Sequence, residues 1–148
     1  MSIEQPFIWP VRVYWEDTDA GGVVYHARYV AFMERARSEW MRAMGWGQEA
    51  MRTGGGQVFV VRDMQLDFLK PARLDDTLQV SVALTQCRAA SLVMAQQVIR
   101  ADGLLLATAT VRLAAVGAAD FRPQAIDGDL LAVLKQHVVQ PESLRNKG

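Results

Sequence analysis

The apolar positions of this chain follow two rhythms. Between Tyr29 and Met44 they return at three- and four-residue steps (Tyr29, Val30, Met33, Ala36, Trp40, Met44), while Arg28, Glu34, Arg35, Glu39 and Arg42 fill the gaps. That spacing predicts an amphipathic helix from about His26 to about Gly45. Upstream, Val11-Arg12-Val13-Tyr14-Trp15 has the two-residue period of a strand with unlike faces. Further β-branched and apolar runs predict strands at 58–61, 64–69, 77–86, 92–100 and 104–116. They are punctuated by the segments 71–76 and 88–91 and by the tight Ala101-Asp102-Gly103 turn. Together these strands read as an antiparallel meander. Helical spacing returns from Ile126 to His137, and the polar tail from Pro141 to Gly148 is expected to fray.

One long helix and about five strands, joined by short connections, predict an α+β arrangement in which an antiparallel sheet wraps one face around a buried helix. The 148 residues suit a single domain, with its core over about 8–118 and a C-terminal helix and tail over 123–148. A sheet of this size leaves an edge strand and apolar surface uncovered. Association with further copies is therefore expected, as a homodimer or homotetramer.

Composition removes several classes of function. Acidic and basic residues balance at 16 each, so the chain has no basic field for nonspecific nucleic-acid binding. The start Met-Ser-Ile-Glu-Gln-Pro has no basic leader, and no run of about 18 apolar residues occurs, so no membrane span and a cytoplasmic location are expected. Cys87 is the single cysteine, which excludes an internal disulfide and a multi-cysteine metal site. No histidine neighbours it in sequence, and a structural role is expected. Gly54-Gly55-Gly56 lacks the Gly-Lys-Ser/Thr of a phosphate-binding loop and reads as a mobile loop near a ligand entrance. The four tryptophans carry no interleaved basic run and are assigned to core and interface packing.

The candidate chemistry lies in Glu16-Asp17-Thr18-Asp19-Ala20-Gly21-Gly22-Val23-Val24-Tyr25-His26, where carboxylates and a glycine turn run directly into the helix. A helix start carries unpaired N–H groups and partial positive charge, so a carbonyl oxygen held there would be polarised. Gly21 and Gly22 permit close backbone approach. A carboxylate beside such a site could activate water or attack directly. The plainer reading makes Asp17, Thr18 and Asp19 turn formers and His26 a capping or packing residue. Calcium fits poorly, because Gly21 and Arg28 fall where acidic ligands are needed. No G-x-S-x-G nucleophile elbow is present.

The run from Arg12 to His26, followed by Tyr29-Val-Ala-Phe-Met-Glu-Arg-Ala-Arg37, Phe59-Val-Val-Arg62 and Pro71-Ala-Arg-Leu-Asp-Asp76, resembles the hotdog-fold thioesterases. It is similar in particular to the tol-pal-associated acyl-CoA thioesterase (YbgC-type) group, close to the 4-hydroxybenzoyl-CoA thioesterase branch. The resemblance implies a hotdog fold with active sites between subunits and hydrolysis of acyl-CoA carrying short to medium chains. It further implies no metal or redox cofactor, coenzyme A entering only as part of the substrate. It puts the catalytic carboxylate at Asp19 and the carbonyl-polarising N–H at His26. Gly22, Val23 and Tyr25 would line the substrate, and Arg88 and Ser91 would help hold the CoA nucleotide. Acyl carrier protein is a second possible thioester donor, or a partner if the domain is a binding module with incidental hydrolysis. A hydroxyacyl dehydratase on the same fold requires a different His and acid pattern.

Overall fold

The computed structural model describes residues 6–139. The tail expected at 141–148 and the first five residues lie outside the described range. Five strands form one antiparallel sheet: β1 (Phe7–Arg12), β2 (Gln57–Phe68), β3 (Thr77–Cys87), β4 (Ser91–Arg100) and β5 (Leu105–Gly117). The spatial order is β1-β3-β4-β5-β2, so only β3, β4 and β5 are a meander. β2 crosses over to pair with β5 at one edge, and β1 pairs with β3 at the other. The long helix α1 (His26–Ala43) is followed by a short turn α2 (Gln48–Ala50) and a five-residue π-helical turn, Met51–Gly55. The last helix is α3 (Gly128–Gln136).

Directly paired residues share a face of the sheet, so the register identifies the side that α1 covers. Val80, Val82 and Leu84 of β3, Leu92, Met94 and Val98 of β4, and Ala107, Val111 and Leu113 of β5 all point inward and are buried. Phe32, Met33, Ala36, Trp40 and Met41 of α1 meet them. Full burial of each large apolar side chain stabilises the fold by about 1.5–3 kcal/mol before conformational entropy is charged against it. The inner face also contains Arg37, buried and bonded through Nη1 to Gln96 Oε1 (2.9 Å). The Gln96 amide in turn donates to the carbonyls of Met33 (3.1 Å) and Ser81 (3.3 Å).

Several boundaries differ from expectation for identifiable reasons. The strand expected at 11–15 lies at Phe7–Arg12, because the Tyr14 N–H donates to the Asp17 carboxylate (2.9 Å) and Trp15–Asp17 closes into a 3-10 turn. The two strands expected at 58–61 and 64–69 are one strand, β2. Its register shifts between Val61 and Asp63, and the extra residue, Arg62, breaks the alternation that would have joined them in the sequence. Helix α1 stops at Ala43, just before Gly45 takes φ +87°. Helix α3 starts later than expected because Asp127 caps it, its carboxylate accepting from the Asp129 and Leu130 N–H groups. The glycine segment 54–56 lies at the α1 C-terminal end, away from the acidic turn: Gly54 and Gly55 end the π-helical turn, Gly56 caps it, and Met51 at its start is buried in the core.

Candidate active site

The acidic turn is a small hairpin. Thr18 and Val24 form an isolated bridge, the Asp19 N–H donates to the Val23 carbonyl (2.9 Å), and the Gly22 N–H donates to the Asp19 carbonyl (3.0 Å). Asp19 is therefore at the tip. Its Oδ1 accepts from the Gly21 N–H (2.8 Å), while no donor among the described residues meets its Oδ2. Each glycine has its own reason to be there. A Cβ at Gly21 would come within 3.2 Å of Asp19 Oδ1, and Gly22 adopts φ +83°. The Asp19 side chain is exposed and open to a ligand.

Beneath the tip, Asp17 is 4% exposed and fully engaged. Its carboxylate accepts from the Tyr14 N–H and from Arg28 Nε (2.8 Å), and Arg28 Nη2 lies 2.6 Å from the same oxygen as an ion pair. Its carbonyl accepts from the Tyr25 N–H (2.9 Å). Asp17 thus ties the strand end, the acidic hairpin and the first turn of α1 together, which is the structural hydrogen-bonding role its position allows. Glu16 adds a weaker, solvent-facing contact to Arg28 at 3.3 Å.

Helix α1 begins without a side-chain cap. Tyr25 occupies the capping position in an extended conformation, and the first helical contact is a tight one from the Arg28 N–H to the Tyr25 carbonyl (2.8 Å). No acceptor among the described residues meets the His26 or Ala27 N–H. Two donors and the positive end of an 18-residue helix are therefore free next to the Asp19 hairpin. The His26 ring packs against Tyr25 (centroids 4.6 Å apart) and edge-on to Phe68 (6.3 Å). Phe68 also meets Tyr29 at 5.4 Å. The Tyr29 hydroxyl accepts from the Ala72 N–H (3.0 Å), and the Ala72 carbonyl accepts from the Val24 N–H (2.8 Å), so the loop after β2 is clasped to the hairpin. Burial raises the Tyr29 phenol above its ordinary pKa, which keeps it neutral in this role. Phe68 and Tyr29 complete the apolar wall. Sequence reasoning placed both in regular elements but gave neither a site role, since their convergence depends on β2 crossing the sheet.

The structure brings Asp19, Gly22, Val23, Tyr25 and His26 together on one hairpin and helix start. It does not bring Arg88 and Ser91 to them. These residues form the β3–β4 turn, where the Arg88 N–H donates to the Ser91 carbonyl (2.9 Å). That turn is at the far end of β3 from Thr77, on the order of 30 Å from the strand end that adjoins the hairpin. Within one protomer they belong to the opposite end of the sheet.

Comparison with known proteins agrees with this architecture. Residues 21–107 match the thioesterase superfamily. The chain is 46% identical over 130 residues to acyl-CoA thioester hydrolase YbgC of Escherichia coli, covering 88% of this chain and 96% of that one. It is 39% identical to acyl-CoA thioesterase YbgC of Haemophilus influenzae, over 88% of this chain and 95% of the other. Among solved structures, a probable thioesterase from Bartonella henselae superposes with a TM-score of 0.79 at 33% identity, covering 83% of this chain and all of its own. By sequence and by its helix-on-sheet hotdog architecture, this chain belongs to the thioesterase superfamily, alongside the YbgC acyl-CoA thioesterases.

Proposed function

We propose that this protein hydrolyses acyl-CoA to free acid and CoA, with Asp19 as the catalytic carboxylate and the His26 N–H as the principal donor to the thioester oxygen. The observation that carries this reading is the pairing, on one hairpin, of a carboxylate oxygen lacking a protein partner with unpaired N–H groups at a helix start. Such donors are aimed before the reaction begins and stabilise the negative charge that builds on the carbonyl oxygen. Two routes are chemically complete. Asp19 can attack the thioester carbon, expelling the CoA thiolate and forming a mixed anhydride that water opens. Alternatively, it can take a proton from a water that attacks the same carbon. In both routes the proton finally reaches the departing sulfur. The His26 imidazole, held between Tyr25 and Phe68, is suited to shaping the acyl entrance and to donating to that sulfur.

The working form is a homo-oligomer. The inner face of β2 is only half-covered, and Val61 and Phe68 stay about half exposed on an edge strand 12 residues long. A second copy paired along that edge would cover this surface, and it could bring its own Arg88 and Ser91 toward Asp19. On the opposite face of the sheet, a hollow of about 530 Å³ lined by Ile8, Ala83, Ala95 and Ile99 gives a second surface through which dimers could associate. No helix among the described residues is long and apolar enough to cross a membrane.

A thiol-release assay over acyl-CoA and aryl-CoA substrates, and over acyl carrier protein thioesters, tests the reading. Asp19→Asn, with folding verified, is expected to lower kcat at least about 100-fold. Equal turnover in both proteins would remove Asp19 from the mechanism.

A further inference from the structure

A cavity of about 170 Å³ lies between α1, the π-helical turn and the start of β2. A cavity of about 150 Å³ accommodates a benzene-sized group. The walls are largely apolar, formed by Met41, Met51, Phe59 and Val61, but Glu34 and Arg37 also face it. Gln48 stands at the rim with its amide nitrogen given to Ser38 (3.1 Å). Arg37 is 7% exposed, and no carboxylate among the described residues lies within 4 Å of its guanidinium. Its Nη1 donates to Gln96, and no other acceptor is described for it. No fully buried side-chain nitrogen or oxygen among the described residues lacks a partner, so the remaining N–H groups of Arg37 keep access to open space. That space is the cavity.

An apolar track links this cavity to the candidate active site. His26, Val30 and Glu34 follow one another at four-residue steps and share one stripe of α1. Across from them, the inner face of β2 carries Phe68 beside His26, then Leu66, Met64 and Val61 in order toward the cavity. Glu34 is eight residues along the helix from His26 and Arg37 eleven, about 12 Å and about 16 Å. An extended chain advances about 1.2 Å per bond, so the level of Glu34 is about ten bonds from the thioester carbon and that of the Arg37 backbone about thirteen, and the Arg37 side chain, leaning toward the helix N-terminus, reaches back toward the tenth.

We propose that this cavity receives the distal end of the acyl group and selects a chain of about ten carbons that bears a terminal hydroxyl. The proposal rests on the thioesterase reading above. A hydroxyl oxygen accepts from the Arg37 guanidinium while its proton goes to the Glu34 carboxylate, so both charged groups are satisfied by one neutral ligand atom. A methyl end displaces water from the unused Arg37 donors and gives nothing back, which is costly. A carboxylate end satisfies Arg37 but faces the charge of Glu34. Short acyl groups stop before the cavity and are indifferent to it.

The test compares butyryl-, decanoyl-, decanedioyl- and 10-hydroxydecanoyl-CoA by thiol release in the wild type, Arg37→Met and Val61→Trp, with folding checked by circular dichroism. The wild type should prefer 10-hydroxydecanoyl- over decanoyl-CoA by about tenfold in kcat/KM, as one hydrogen bond to a charged group allows. Arg37→Met should bring that ratio close to one. Val61→Trp, which narrows the track from the β2 edge and whose oligomeric state is checked against the wild type by size exclusion, should depress both ten-carbon substrates relative to butyryl-CoA and keeps the test decisive if Arg37→Met fails to fold. Butyryl turnover with equal kcat/KM for the two ten-carbon chains, a preference for decanedioyl-CoA, or a hydroxyl preference that survives Arg37→Met overturns the cavity assignment alone. Failure to cleave any thioester overturns the thioesterase reading with it.

Discussion

Removing the Asp17 carboxylate tests whether the acidic hairpin is held from below. In Asp17→Ala the Tyr14 N–H and Arg28 Nε lose their acceptor, and Arg28 Nη2 loses an ion-pair contact. Breaking a fully buried ion pair costs about 3–5 kcal/mol. Here the Arg28 side chain is 29% exposed and keeps Glu16 within reach, so water and Glu16 recover part of that loss. Both hydrogen bonds, from a backbone amide and from a guanidinium, are charge-assisted by the carboxylate, and after that recovery they leave a net expectation of about 2–3 kcal/mol. For a domain of this size that corresponds to a fall in Tm of roughly 5–10 °C. Urea unfolding of Asp17→Ala, Arg28→Ala and the double variant would measure it. The cycle should show coupling of about 1–2 kcal/mol, because the pair is in direct contact. Asp17→Asn should cost less, since its amide oxygen can still accept from Tyr14. A change below about 0.5 kcal/mol in Asp17→Ala, or additive single effects within about 0.5 kcal/mol, would refute the view that Asp17 anchors the hairpin to α1.

Three further outcomes follow from other contacts. Tyr29→Phe removes the acceptor of the Ala72 N–H and should destabilise the fold by about 1–3 kcal/mol in chemical denaturation, with a smaller loss indicating that water replaces the hydroxyl. Hydrogen bonding to Arg100 holds the Asp102 carboxyl down at about 2, below its unfolded value of about 3.9. The stabilisation this lends to the β4–β5 turn is therefore full above about pH 4 and is lost as the pH falls through about 2. A carboxyl NMR titration with its midpoint near 4 would contradict that. Burial pushes the Cys87 thiol upward, so it should alkylate more slowly at pH 8 than a free cysteine, and Cys87→Ala should retain thioester turnover. Loss of turnover in that variant would implicate the thiol.

The sequence was most readable where local period and burial agree. Helix α1 and the β3–β4–β5 meander were visible as runs, because side-chain spacing alone determines which face is buried, and the acidic segment was visible as a glycine turn though not as a hairpin. The position of β2 was not visible. Its crossover to the edge beside β5 is a tertiary choice, and its bulge at Arg62 disguised one strand as two. The same crossover explains why Phe68 went unnoticed as a site residue and why the glycine segment 54–56, expected near the entrance, lies at the distal end. Arg37 reads in the sequence as one charge among several on a helix. Its burial beside Gln96 depends on contacts 59 residues apart in the chain, which no local pattern encodes.

The two edges of the sheet are chemically unequal, and this bears on how copies can add. β1 is six residues long and contains Pro10, which has no N–H to offer a neighbouring strand. β2 is twice that length and keeps its donors. Joining β1 of one copy to β2 of the next would leave the same pair of edges at each end and could continue without limit, the geometry of a fibre. Joining β2 to β2 uses up the receptive edge of both copies at once and leaves two proline-bearing edges facing solvent. If copies join through β2, the imino acid in β1 would act as a terminator, and a sheet that could otherwise polymerise would stop growing after a single addition.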